Sequence, residues 1–114
     1  MLPDPSEHIY QVTRSDFCVV ALVDGRPLPP RTDLYSHSPT GFEFGYAGSG
    51  PAQLALAILA DCIGEPLALE FYQEFKWAVV AQQSGNTFTL TEREIRQTIV
   101  AIGQARQAPI AQRN

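Results

Sequence analysis

The sequence predicts an α+β domain: a small, mostly antiparallel sheet with about three helices packed on one face. Three observations predict it. Two strand-like runs, His8–Arg14 and Phe17–Val23, are separated only by Ser15–Asp16. A later run, Pro51–Ile63, is apolar apart from Gln53 and Asp61, as a buried helix would be. A short run of β-formers, "TFTL" (Thr87–Leu90), leads straight into a segment of helical period. The order read along the chain is strand, strand, loop, strand, helix, helix, strand, helix.

The first strand alternates, with Ile9 and Val12 apolar, and the second is nearly all apolar and β-branched, as a central strand is. Asp24–Gly25 ends it with a turn signal. Arg26–Gly41 holds Pro27, Pro29, Pro30 and Pro39, so it is expected to be extended loop rather than ladder. "GFEFGY" (Gly41–Tyr46) alternates, which places Phe42, Phe44 and Tyr46 on one face of a short strand and Glu43 on the other. The next helix is expected from Pro51, capped by Ser49 or Gly50 and stopped by Gly64. Pro66–Gln83 predicts a second helix, with Leu67, Phe71, Tyr72, Phe75 and Val79 facing inward and Glu70, Gln73, Glu74 and Trp77 outward. Thr91 and Glu94 form a capping-box pattern at the start of the last helix, where Ile95, Ile99 and Ile102 face inward.

A chain of 114 residues fits one domain, 1–114, with loose ends expected at 1–7 and 104–114. Net charge is −4, from eight Lys+Arg against twelve Asp+Glu, and Lys76 is the only lysine. With no basic run, the sequence lacks the positive footprint of a nucleic-acid binder. Cys18 and Cys62 both lie in apolar runs and read as free, buried thiols of a reduced compartment. The longest apolar run, Leu54–Ile63, is too short to span a bilayer, and no basic-then-apolar leader opens the chain, so a cytoplasmic location is expected.

"HSPTGFEFGYAGSGPAQLALAILAD" (His37–Asp61), with "YQEFKWAVV" (Tyr72–Val80) and "FTLTEREI" (Phe88–Ile95), resembles a family of small uncharacterised domains found in bacterial, archaeal, phage and plasmid sequences. "FEFGYAGSG" stands here where "FEWGYGGSG" is common, so Phe44 and Ala47 depart mildly. The resemblance covers roughly Asp24 to Ile95 and implies a mobile-element origin. It implies no activity and supplies no catalytic residue.

Several constellations are candidates for function. Gly48, Ser49 and Gly50 stand where a strand turns into a helix, a setting in which backbone N–H groups hold anions. Against that, no Lys follows the loop, Pro51 removes a donor, and glycines also serve close packing. Glu43, if buried, needs a cation, and Lys76 or Arg31 would serve; a structural pair of Glu43 with Lys76 is the favoured expectation. Arg26, Arg31, Asp33, Tyr35 and His37 cluster in the proline-rich segment as a candidate recognition edge. His37 also reads as a loop histidine whose hydrogen bonds tie that segment down. Tyr72, Trp77 and the outer side of the second helix offer another patch.

The sequence contains no nucleophile–base set and no metal-ligand spacing, so no catalytic residue, metal or cofactor is expected. The leading expectation is a non-enzymatic protein-interaction domain, an inhibitor or accessory protein, whose partner is another protein rather than nucleic acid or membrane; self-association is compatible with it. The alternative is a small-ligand, nucleotide or phosphate module that uses the glycine loop.

Overall fold

The structure, a computed structural model, describes residues 7–16, 18–38 and 41–107. The expected loose ends fall mostly outside those residues. Four strands form one antiparallel sheet: β1 (Ile9–Arg14), β2 (Val19–Val23), β3 (Arg26–Pro27) and β4 (Thr87–Thr91), in the order β3-β2-β1-β4. Three helices accompany them: α1 (Ser49–Ile63), α2 (Glu65–Ala78) and α3 (Glu92–Gln107), with a 3-10 turn at Val80–Gln82 between α2 and β4. The α+β class is therefore as the sequence predicts.

Alternation decides which face of the sheet is covered. Tyr10, Val12, Ala21, Val23, Phe88 and Leu90 point inward and are buried. Between them Gln11, Thr13, Val20, Thr87 and Thr89 point outward and are exposed. α1 lies at the centre of the covered side, with Leu54, Leu56, Ile58 and Leu59 fully buried. Each such side chain stabilises the fold by roughly 1.5–3 kcal/mol, so α1 is the main source of core energy. The polar residues within its apolar run are both satisfied: Gln53 bonds three backbone groups of the loop before α1, and Asp61 accepts from the Tyr10 hydroxyl at 2.6 Å. Burial and that bond push the Tyr10 hydroxyl far above its ordinary pKa.

One residue, Gly64, joins α1 to α2 at φ 90° and ψ 163°. That backbone shape is open essentially to glycine alone. α2 then packs along α1 with Ala68, Phe71, Tyr72 and Phe75 buried. Leu67, expected inward, is exposed, and Ala68 takes the inward place. α2 ends at Ala78, short of the expected Gln83. The capping box of α3 is present: Thr91 N–H donates to Glu94 Oε1 at 3.0 Å, and Glu94 N–H to Thr91 Oγ1 at 3.1 Å. α3 continues through Gln107, into the stretch expected to loosen.

Two expectations about the middle of the chain are corrected. Asp24 and Gly25, at φ 51° and 81°, make a two-residue turn that folds Arg26–Pro27 back on β2 as β3, so the proline-rich segment begins as ladder. Gly41–Tyr46 is not a strand, because β1 already pairs on both sides, with β2 and β4. Phe44 is nonetheless buried, edge-on to Phe88 with ring centroids 4.9 Å apart. Its alternation with Phe42 and Tyr46 reflects that one anchor and no ladder. Cys62 is buried, and its thiol is pushed up to about 11 by that burial. Cys18, expected buried, is exposed.

Candidate functional site

The proline-rich segment is held against α1 and α2 from several points. Leu28 is buried, and its N–H donates to Ala21 C=O, extending the β3 pairing by one residue. Gln53 of α1 is the main clamp. Its Oε1 accepts from the N–H groups of His37 at 2.7 Å and Ser38 at 3.1 Å, and its Nε2 donates to Pro30 C=O at 2.7 Å. Arg31, in left-handed backbone at φ 56°, pairs with Asp33 at 3.0 Å and with Glu65 at the start of α2. These carboxylates hold the Arg31 guanidinium charged and the Asp33 carboxyl below its ordinary range.

The clamp sets three rings in a row. Tyr35 stacks on His37 with centroids 4.2 Å apart, and His37 Nε2 shares a 2.6 Å hydrogen bond with the Tyr72 hydroxyl on α2. Tyr72 is buried while Tyr35 stays exposed, so the row runs from core to surface. Partial burial and the nearby Lys76 ammonium hold His37 below its usual pKa, which favours the neutral ring.

Lys76 lies one turn beyond Tyr72 on α2. It is 9% exposed, yet it forms no ion pair or hydrogen bond with any described residue. Its ammonium lies 5.3 Å from the ring centre of Trp77, a cation–π distance. Trp77 itself is 60% exposed. Leu69, also exposed, lies two turns before it on the same side of the helix. Trp77 thus presents an exposed ring to an ammonium that has no carboxylate partner among the described residues, and Tyr35 and Leu69 add exposed apolar side chains.

The expected Glu43–Lys76 pair does not form. Glu43 Oε1 instead accepts from Arg14 Nη2 at 2.9 Å and Nε at 3.3 Å. The reason is register: Arg14 ends β1 beside the 43–44 segment, and Lys76 is on α2. Arg14 also donates to the carbonyls of Phe44 at 2.7 Å and Gly85 at 3.2 Å, and its guanidinium lies 4.1 Å over the Phe44 ring. Arg26, also expected at the recognition edge, sits exposed on β3 and makes no hydrogen bond or ion pair with a described residue.

At the glycine loop, Gly48 is the N-cap of α1 and no side chain caps the helix. A cleft of about 590 Å³ opens there, lined by Ser38, Glu43, Tyr46, Ser49 and Gly50 among others. A side chain at position 50 would place its Cβ 2.6 Å from Cβ of Glu43, so Gly50 exists for close packing. Among the described residues no Lys or Arg lines this cleft, and the one charged lining group is the Glu43 carboxylate. Among the described residues no group of His, Cys, Asp and Glu could hold a metal ion. No helix among them is long and apolar enough to cross a membrane.

The model of a family of unknown function, DUF6166, matches residues 10–101. The chain belongs to that family. The match takes in every strand and helix described above except the first residue of β1 and the end of α3. No curated protein and no solved structure matches the chain.

Sequence reasoning singled out Tyr35, His37, Lys76 and Trp77, but in three separate groups. Tyr72 as the bridge between them, and Gln53 as the clamp, were missed. The only signal for Gln53 was a lone amide in an otherwise apolar helix, which marks a polar group that must find partners when buried.

Proposed function

We propose that this DUF6166 domain is a non-enzymatic protein-interaction module, and that its contact face is the aromatic and cationic surface formed by Tyr35, Leu69, Lys76 and Trp77. The observation that carries the reading is Lys76, nearly buried, without a carboxylate partner among the described residues, and lying against the exposed ring of Trp77. Tyr and Trp are the side chains most often found at binding hot spots, and a desolvated ammonium gains most from a carboxylate brought by a partner. The clamp on the proline-rich loop supports the reading too, because a face fixed in advance loses little entropy on binding. The partner is then a protein with an acidic side chain set within an apolar surface. An inhibitor or accessory role in a phage or plasmid, inside the cytoplasm, fits the motif resemblance.

Affinity purification from the host, comparing the native chain with Trp77→Ala and Tyr35→Ala, tests this. Both variants are expected to lose the same specific partner while keeping the native melting temperature. A partner set unchanged by both substitutions would refute the reading.

A small anionic ligand at the glycine loop is the second reading, favoured by the 590 Å³ cleft at the uncapped start of α1. The Glu43 carboxylate in its lining and the missing N–H of Pro51 oppose it. A melting temperature unmoved by millimolar phosphate or nucleotides would dismiss it.

A further inference from the structure

The two edges of the sheet are built differently. β3 is two residues long and consists of Arg26 and Pro27, a charge and a residue without an N–H. Short, charged, proline-bearing edges resist pairing with other chains. β4 has none of these devices. Its five residues, TFTLT, carry no charge and no proline, and its register with β1 is unbroken from Thr87 to Thr91.

The ladder fixes which backbone groups of β4 are free. Arg14 N–H donates to Asn86 C=O at 2.7 Å, and Glu92 N–H to His8 C=O at 2.9 Å. The even-numbered residues of this strand therefore bond toward β1, and alternation turns the N–H and C=O groups of Thr87, Thr89 and Thr91 away from the sheet. Glu94 takes up the Thr91 N–H. No turn, cap or side chain among the described residues meets the N–H of Thr87 or Thr89.

The outer face beside the edge is uncharged as well. On the outer face, Gln11, Thr13, Val20, Leu22 and the β4 threonines carry no ionisable group. On the inner side a cleft of about 230 Å³ opens beneath β4, with Phe75, Val79, Leu90, Ile95 and the charged Glu94 in its walls.

We propose that β4 pairs antiparallel with β4 of a second copy of this chain, about a two-fold axis through Thr89. The strand suits itself as a partner. Threonine stands at both ends and at the centre of TFTLT, so the axis sets Thr89 against its own image and Thr87 against Thr91. Thr89 exchanges its free N–H and C=O reciprocally, and threonine pairs across strands are favourable. A two-fold axis sets each group near it against its own image, so a charge at the axis would meet a like charge; Thr89 carries none, and the Glu94 carboxylate on the Thr91 N–H falls beside Thr87 of the second copy, away from its own image. Five residues bury less than the area of a standard stable interface, so the dimer depends on concentration. It does not involve the Tyr35–Trp77 face.

Light scattering and sedimentation of the full chain from about 10 µM to about 1 mM test this. The mass is expected to rise from the 12.5 kDa of one chain toward twice that value. Thr89→Lys, whose new side chain points to solvent in the monomer, is expected to hold the mass at one chain, and Thr89→Val to leave the dimer intact. Over the same range the Thr89 amide of the native chain is expected to exchange with solvent more slowly, by roughly tenfold. A native chain that stays monomeric at the top concentration overturns the proposal, as does a folded Thr89→Lys that dimerises like the native chain. Should Thr89→Lys fail to fold, the Thr89 amide decides: exchange independent of concentration overturns the proposal.

Discussion

Arg14 is where three parts of the chain meet. It ends β1, and it reaches the Glu43 carboxylate, the Phe44 carbonyl and ring, and the Gly85 carbonyl. The ion pair is the weaker part of this arrangement. Both side chains are about a third exposed, and such pairs contribute about 0.2–1 kcal/mol. The backbone bonds and the stacking hold two segments that have no ladder of their own. Arg14→Ala is therefore expected to destabilise by about 2 kcal/mol and Glu43→Gln by less than about 1 kcal/mol, read as shifts in the urea midpoint. Equal losses would mean that the ion pair, and not the carbonyl contacts, dominates. Gln53 is the second such residue. Gln53→Leu keeps the apolar setting but strips partners from Pro30, His37 and Ser38. The expected cost is about 2–4 kcal/mol, with protease cleavage rising within 28–38. Unchanged cleavage would argue that Arg31 and Tyr72 hold the loop without the amide.

At the scale of elements, the tightest point is the corner between α1 and α2. Only Gly64 separates them, and its positive φ suits no side chain even though the space around it is open. Gly64→Ala is therefore expected to cost about 1–3 kcal/mol through backbone strain alone, measured by thermal or urea unfolding. A neutral result would show that the corner relaxes without loss of packing. Gly64 was legible in the sequence because a helix stop needs no distant partner. β1, β2, β4 and the capping box of α3 were legible for the same reason: each is written in local period or local capping chemistry. β3 was not, because its proline and those that follow argue against a strand and only the two-residue turn at Asp24–Gly25 folds it onto β2. Gly41–Tyr46 misled for the opposite reason, since its period of two comes from one buried ring. The pairing of Glu43 is a tertiary fact: nothing within the segment tells Arg14 from Lys76. The row Tyr35–His37–Tyr72 is likewise invisible until the loop is laid on α2.

For the molecule as a whole, the two histidines set opposite slopes of stability against pH. The hydrogen bond from His8 Nδ1 to Asp24, 2.6 Å long, raises the His8 pKa above 6.5. The native state therefore binds this proton more tightly than the unfolded chain does. Its contribution is fully present below pH 6.5 and is lost as pH rises through the raised value. His37 behaves in the reverse sense. Burial and Lys76 lower its pKa below 6.5, so the unfolded chain takes up its proton first. Stability from His37 is complete above pH 6.5 and falls as pH drops from there toward the lowered value. Together they place a maximum near pH 6.5, with a further loss at lower pH as Asp24, Asp33, Glu74 and Glu92, all held below their ordinary pKa by cationic partners, are protonated. NMR titration of the two imidazoles is expected to give one midpoint above 6.5 and one below, assigned by His8→Gln and His37→Gln. His37→Gln is also expected to flatten the fall in stability between pH 6.5 and about 5, whereas His8→Gln removes only the slope on the alkaline side. The acid-side fall persisting in His37→Gln would assign it to the carboxylates, and would mean that the ring between Tyr35 and Tyr72 takes up its proton without opposing the fold.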